Sequence, residues 1–372
     1  MSFTGISELK PFAESAEKFA KNELEPGALE ADNYPYARFN ENALKIAQQL
    51  GFLKIILPEK YGGLEQGIPA LCEVLATLSQ VDASFSCLIF TTALAQSLLL
   101  KSGSEQVKEK YLAQNLFAFP VYDSLTDLQK EIEASKTNQG YILNGKIEYL
   151  ALAPLARAMI IPARLKGTEE TGFFLIDART PGVKLSEPVL SLGLRQCPVA
   201  DLELKEVKLE ADQLLLPDAE KEYPGLARKF YPAVLAMALG VVFGSYQTAK
   251  EYAKERYQGG RMIIDYDQIR MMLVNMAVII ECGKALLKEL LNHSEKDYPH
   301  FLSDSALILL TEQTSKATTD GVQILGGYGY IQDYGQEKRM RDAKQIQLIF
   351  GSVPFKRLQL MAGILAQEEW GG

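Results

Sequence analysis

Between about Phe117 and Pro217 the chain changes texture. Short apolar runs broken by Gly and Pro lie there, flanked on both sides by long stretches with a helical period. A helix buries residues at i, i+3 and i+4, whereas a strand buries alternate ones. The chain must therefore build helices, then a sheet, then helices again. Strands and helices do not alternate, which excludes a doubly wound parallel sheet. The order predicts an α+β protein in three domains. These are an N-terminal helical domain over 1–116, a middle antiparallel β-barrel or sandwich over 117–217, and a C-terminal four-helix bundle over 218–372. Helical domains around an inserted β-domain leave a crevice, a common place for a flat cofactor.

Local signals give the elements. Leu9, Phe12, Ala13, Ala16, Phe19 and Ala20 mark one buried helix face. Pro58 to Gly63 reads as a turn. Ala70 to Leu100 is dense apolar helix, interrupted near Asp82, and Ser104 is placed to cap a helix through Leu112. Tyr141 to Lys146 reads as a strand entering a tight turn at Asn144-Gly145. Ala158 to Ala163 and Phe173 to Ile176 read as short strands. The alternation of Leu202, Leu204, Val207 and Leu209 slips by one after Leu204, the mark of a β-bulge. Helices are predicted over Ala233–Arg256, Asp267–Asn292, Ser303–Leu325 and Val353–Glu368. The first is rich in small residues (Ala236, Gly240, Gly244, Ala249), which permits close packing. Its apolar residues lie on more than one face, so a monomer is expected to expose a large apolar patch and the chain to be an oligomer.

Composition narrows the class. A net charge of −8 without a long basic run argues against nucleic acid or an anionic membrane as partner. Apolar stretches such as Ala233–Phe243 are shorter than a bilayer needs, so no membrane span is predicted. The start, MSFTGISELK, lacks the layout of a signal peptide, and the four cysteines (Cys72, Cys87, Cys197, Cys282) form no C-x-x-C pair. Reduced thiols and a cytoplasmic location are expected. The only two histidines, His293 and His300, lie in a polar stretch, so neither a metal site nor a Ser-His-Asp triad is predicted.

The most specific segment is Val322 to Tyr330, with Gly326-Gly327 ending a helix, followed by Glu337 to Lys344. This run, QILGGYGY…EKRMRDAK, resembles the C-terminal signature of the acyl-CoA dehydrogenase family. Pro58 to Gly63, the Ser102–Leu112 helix start, Tyr141 to Gly145, Leu192 to Arg195 and Glu255-Arg256 resemble further family motifs in the same order. The resemblance spans essentially the whole chain. It implies FAD held between the β-domain and the bundle with help from a neighbouring subunit, an acyl-CoA thioester substrate, and an electron-transferring flavoprotein as acceptor. It also implies a tetramer, and a Glu that removes the α-proton while hydride passes to the flavin. The cofactor-binding positions so implied are Arg256, Gln258, Gln323, Gly326, Gly327, Ser352, Thr126 and Tyr149.

The chain departs from the family at the chemistry. Counting from Arg341-Asp342-Ala343-Lys344, Phe350 stands where the family's usual base lies, in Y-E-G-T. The alternative base position, counted back from Gly240, falls on Phe230-Tyr231. The family's T-E-P-x-A-G-S-D segment corresponds to Phe119 to Asp127, without glycine. Ala151 replaces a hydroxyl residue, and Gly259 replaces the Phe of R-x-x-F-G. Asp82 and Asp123 lie in segments that the resemblance places near the pocket or the flavin; helix capping or surface exposure is the competing reading of each. Losing both base positions together with the ring contacts favours a non-catalytic or weakly catalytic subunit that partners a catalytic paralogue. An active dehydrogenase with an unusual base, and a flavin oxidase or monooxygenase on the same fold, are the alternatives.

Overall fold

The structure is a computed structural model that describes residues 2–112, 116–124, 128, 131–293 and 300–366. Its N-terminal helices are α1 (Lys10–Phe19), α2 (Ala28–Ala31), α3 (Glu41–Gln49), α4 (Ile68–Ser79), α5 (Ala83–Ser102) and α6 (Glu105–Tyr111). Asp82 breaks the apolar run by capping α5, its carboxylate accepting the Ser84 N–H at 3.0 Å. Ser104 caps α6 by accepting the Val107 N–H at 3.3 Å.

The strands that follow are β1 (Phe117–Ala118), β2 (Glu133–Thr137), β3 (Gly140–Ala151), β4 (Ala158–Leu165), β5 (Thr171–Asp177), β6 (Val183–Leu185), β7 (Val199–Glu210) and β8 (Leu214–Leu216). Among the described residues they form one sheet in the order β6-β7-β3-β2-β4-β5-β8, with β1 beside β4. The sheet is mixed rather than purely antiparallel, because β4 pairs in parallel with both β1 and β2. The register slip after Leu204 is a bulge, with Glu206 at φ +52°. The expected turn at Asn144-Gly145 is not there. β3 runs straight through, and the hairpin turn lies before it, between Thr137 and Gly140. Gly145 keeps a positive φ for another reason: a Cβ on it would collide with the Glu131 carbonyl.

Helices α7 (Ala219–Arg228), α8 (Tyr231–Glu255), α9 (Asp267–Leu291), α10 (His300–Leu325), α11 (Gln336–Ile346) and α12 (Val353–Ala366) follow. A hairpin of β9 (Tyr257–Gln258) and β10 (Arg261–Met262) joins α8 to α9. α8 lies between α4 and α10, with α9 also against it. Gly240 meets the Ala76 carbonyl and Gly244 the Gln80 carbonyl so closely that a Cβ at either would clash. The apolar faces of α8 are therefore covered within the chain, and the expected exposed patch on it does not exist. By length and composition α5 and α8 would pass as membrane spans, but their apolar windows are 89% and 78% buried inside the fold.

A buried ionic cluster ties the layers together. Lys338 of α11 donates to Asp82 at 2.9 Å and to Asp342 at 2.7 Å, and Asp342 accepts the Leu194 N–H at 2.7 Å. Gly193 is required there, because its Cβ would overlap the Arg341 carbonyl. Arg341 pairs with Asp32 and Glu337. Burial opposes the charge on Lys338, but Asp342 and Asp82 outweigh it and hold its pKa above the ordinary lysine value.

Candidate functional site

Five of the eight sequence-selected cofactor positions line one open cleft. Arg256, Gln258, Gln323, Gly326 and Gly327 surround a volume of about 840 Å³ where α8, the β9–β10 hairpin and the end of α10 meet. Arg256 follows the last turn of α8, and its guanidinium lies over the Tyr328 ring at 5.6 Å. Its Nε is buried and has no hydrogen-bond partner among the described residues. Gly326 closes α10 at φ +58°, and a Cβ on Gly326 or Gly327 would meet nothing within 4 Å. The glycines thus leave the cleft wall open to an incoming group. An orphan guanidinium N–H, two bare glycines and the amides of Gln258 and Gln323 suit a phosphate-bearing dinucleotide.

Tyr252 and Tyr266 also line this cleft, and residue-by-residue comparison missed both. Tyr252 lies one helical turn before Arg256, so its spacing was a usable signal. Tyr266 was not readable. Its hydroxyl donates to the Gln258 carbonyl at 3.0 Å and the Gly259 carbonyl at 2.8 Å. It occupies the space a side chain at 259 would need, and Gly259 lies at φ +65°.

The other positions lie elsewhere. Thr126 falls outside the described residues. Ser352 is exposed ahead of α12, its carbonyl accepting the Lys356 N–H at 3.0 Å. Tyr149 sits in the second bulge of the β3–β7 ladder, on β3, at φ +56° and is 53% exposed, with no ring in contact among the described residues. The bulge turns it outward and leaves Leu150 and Ala151 buried. Tyr330 is exposed, and Tyr328 forms cleft wall.

The two positions at which the family resemblance leads one to expect a base are filled by packed rings. Phe350 and Phe230 are both buried. The Phe90 ring lies 5.9 Å from Phe350 and 6.2 Å from Phe230, and Tyr231 lies 5.4 Å from Phe350. The Phe350 N–H donates to the Val121 carbonyl at 2.7 Å, which pins this plug to the segment entering the sheet. Beside Tyr231, a cavity lined also by Arg228, Asp304 and Lys356 measures about 10 Å³. That is space for about one water and not for a thioester. Next to Ala151, buried Phe119 stacks on Phe173 at 5.4 Å and lies tilted against Tyr223 at 5.7 Å. Among the described residues, packed rings fill these positions, whereas Arg256, Gly326 and Gly327 line an open cleft.

Neither carboxylate alternative is a free base. Asp82 is buried, caps α5 and pairs with Lys338. Asp123 is half-buried in a turn, its N–H donating to the Pro120 carbonyl at 3.2 Å. Lys356 is the unusual titratable group nearby. Burial alone pulls its pKa down to about 7, and its Nζ donates to the Gln347 carbonyl at 2.9 Å.

Comparison with known proteins agrees with this architecture. Residues 7–116 match the family description "Acyl-CoA dehydrogenase, N-terminal domain", and residues 232–365 match "Acyl-CoA dehydrogenase, C-terminal domain". Cyclohex-1-ene-1-carbonyl-CoA dehydrogenase of Syntrophus aciditrophicus is 27% identical, over 94% of this chain and 88% of that protein. In fold, butyryl-CoA dehydrogenase from Megasphaera elsdenii superposes with a TM-score of 0.88 at 24% identity, covering 99% of this chain and 100% of the other. A glutaryl-CoA dehydrogenase from Mycobacterium smegmatis, solved in complex with FADH2, gives a TM-score of 0.88 at 19% identity, covering 98% and 96%. With both terminal domains matched, and the helix–sheet–helix order between and around them reproduced, the chain belongs to the acyl-CoA dehydrogenase family.

Proposed function

We propose that this chain is a non-catalytic or weakly catalytic acyl-CoA dehydrogenase-like subunit, organised as domains 1–116, 117–217 and 218–372. In this reading it pairs with a catalytic flavoprotein paralogue in a hetero-tetramer that oxidises an acyl-CoA and passes electrons to an electron-transferring flavoprotein. The observation that carries the proposal is the contrast between the buried Phe350–Phe90–Phe230 plug and the open Arg256 cleft. Bound FAD supplies hydride acceptance in such an assembly. This chain's part is to hold the cofactor's phosphates, through Arg256 and the backbone at Gly326-Gly327, for the partner's site. Phe350 and Phe230 hold no proton and exclude both water and thioester from the chain's own pocket. An active enzyme with a relocated base would need a carboxylate free of structural duty, and Asp82 is committed to Lys338.

The test is the visible spectrum of the chain purified alone and after co-expression with a paralogue that carries the family glutamate. The proposal expects a colourless chain alone and a yellow complex that acyl-CoA bleaches. Replacing Arg256 by Ala in this subunit should lower the flavin content of the complex. A chain that is yellow alone and bleached by acyl-CoA would overturn the proposal.

A further inference from the structure

A second cavity, of about 530 Å³, opens beside α7 and shares no lining residue with the Arg256 cleft. Its size falls within the range of small-molecule sites. The floor is apolar, built from Ile68, Leu226, Pro232 and Leu290, with Leu226, Pro232 and Leu290 buried. The rim is basic. Lys101, Lys229, His293 and His300 line it among the described residues, against the single carboxylate of Glu222. That carboxylate is already engaged by Lys101 at 3.0 Å. His293 also reaches Glu289, at 3.0 Å, outside the lining.

The backbone adds charge of the same sign. α4, α8 and α10 all begin at this cavity, through Ile68, Pro232 and His300. Neither α4 nor α8 has a side-chain cap, so the positive end of each helix dipole faces the cavity uncapped, although Pro69 and Pro232 in these first turns have no N–H to donate. α5 and α9 end here with the opposite sign, and the Lys101 ammonium at the end of α5 offsets one of them.

We propose that this cavity binds an amphipathic anion, with an aliphatic chain on the apolar floor and a carboxylate or phosphate ester at the basic rim. A cationic amphiphile would meet the same rim with repulsion, and a neutral chain would leave it unused. The site is independent of the flavin reading and is tested on the chain by itself.

The experiment is titration calorimetry of the full chain with decanoate, decyl phosphate and decyltrimethylammonium, each below its micelle concentration. Saturable binding of decanoate alone assigns a carboxylate headgroup, and of decyl phosphate alone a phosphate ester; either supports the site. Two variants locate it. A Cβ on Gly225, which lines the cavity, would meet nothing within 4 Å, so Gly225→Trp starts its side chain in open space at the cavity. Lys229→Glu reverses one rim charge. Each should weaken anion binding by roughly tenfold or more in a chain whose far-ultraviolet circular dichroism shows it folded. If Gly225→Trp does not fold, Lys229→Glu carries the test. The proposal fails if neither anion binds the folded chain, if the cationic amphiphile binds equally well, or if the folded variants bind like wild type.

Discussion

Phe350 occupies the left-handed region, at φ +63°, which a bulky residue tolerates only when its surroundings compensate. Its contacts with Phe90 and Tyr231 and its N–H bond to Val121 are that compensation. Phe350→Ala should therefore destabilise the chain by about 3–5 kcal/mol in denaturant unfolding. Phe350→Glu should also lower the unfolding midpoint, because a carboxylate would replace a buried ring, and it should leave the chain alone without acyl-CoA-dependent bleaching. Lys356 offers a pH test. Its folded pKa is lowered to about 7 by burial, from an ordinary lysine value of 10.5. Below pH 7 both states hold the proton, and the buried charge carries a constant penalty. Between these two values only the unfolded state holds it, so stability rises with pH by up to about 1.4 kcal/mol per unit, and above the upper value the penalty is gone. Lys356→Met should flatten that part of the stability–pH curve and be more stable than wild type at pH 6. The aromatic identity of the base positions was legible by counting along the chain. The burial of Lys356 was not, because its neighbours Arg228, Tyr231 and Asp304 are far away in sequence.

Packing of α8 against α4 depends on two atoms that are absent. A Cβ at Gly240 would strike the Ala76 carbonyl, and one at Gly244 the Gln80 carbonyl. Ala is the better helix former by up to about 1 kcal/mol. Gly240→Ala should nevertheless destabilise the chain, because overpacking typically costs about 1–3 kcal/mol; thermal unfolding measures the balance. The small-residue run announced close packing, but not that the partner would be α4, from the other helical region. Lys338 serves the elements in a similar way, linking the turn before α5 to α11. Lys338→Met leaves Asp82 and Asp342 buried without their cation, and should cost about 3–5 kcal/mol by denaturant unfolding. The motifs that resemble the family thus divide by role: Gly193 to Arg195 and Arg341 to Lys344 meet at this ionic cluster, whereas Arg256 and Gly326-Gly327 meet at the cleft.

The outer faces of the bundle carry apolar residues that stay exposed among the described residues. Met271, Val274 and Val278 follow one face of α9 and are 66%, 59% and 53% exposed. Leu358, Met361 and Leu365 are exposed on α12. Such faces suit contacts between subunits. In light scattering at micromolar concentration the chain should run as an oligomer, or associate with its paralogue. Val274→Lys should shift it toward monomer with little change in secondary structure. The sequence-based reason for association, an apolar surface on α8, was misplaced, because intrachain helices bury that surface.

The helix–sheet–helix order, the bulge after Leu204 and the caps at Asp82 and Ser104 are all written in the sequence. Each depends on residues within a few positions of one another, where periodicity, side-chain reach and motif spacing operate. Tertiary structure alone decided the rest. It turned Tyr149 outward, gave β4 its parallel neighbours, placed α4 against α8, and brought Tyr266 beside Gly259. It also joined three helix starts and four basic side chains around one cavity. These outcomes depend on which distant backbones approach one another, and close packing settles that jointly across the whole chain.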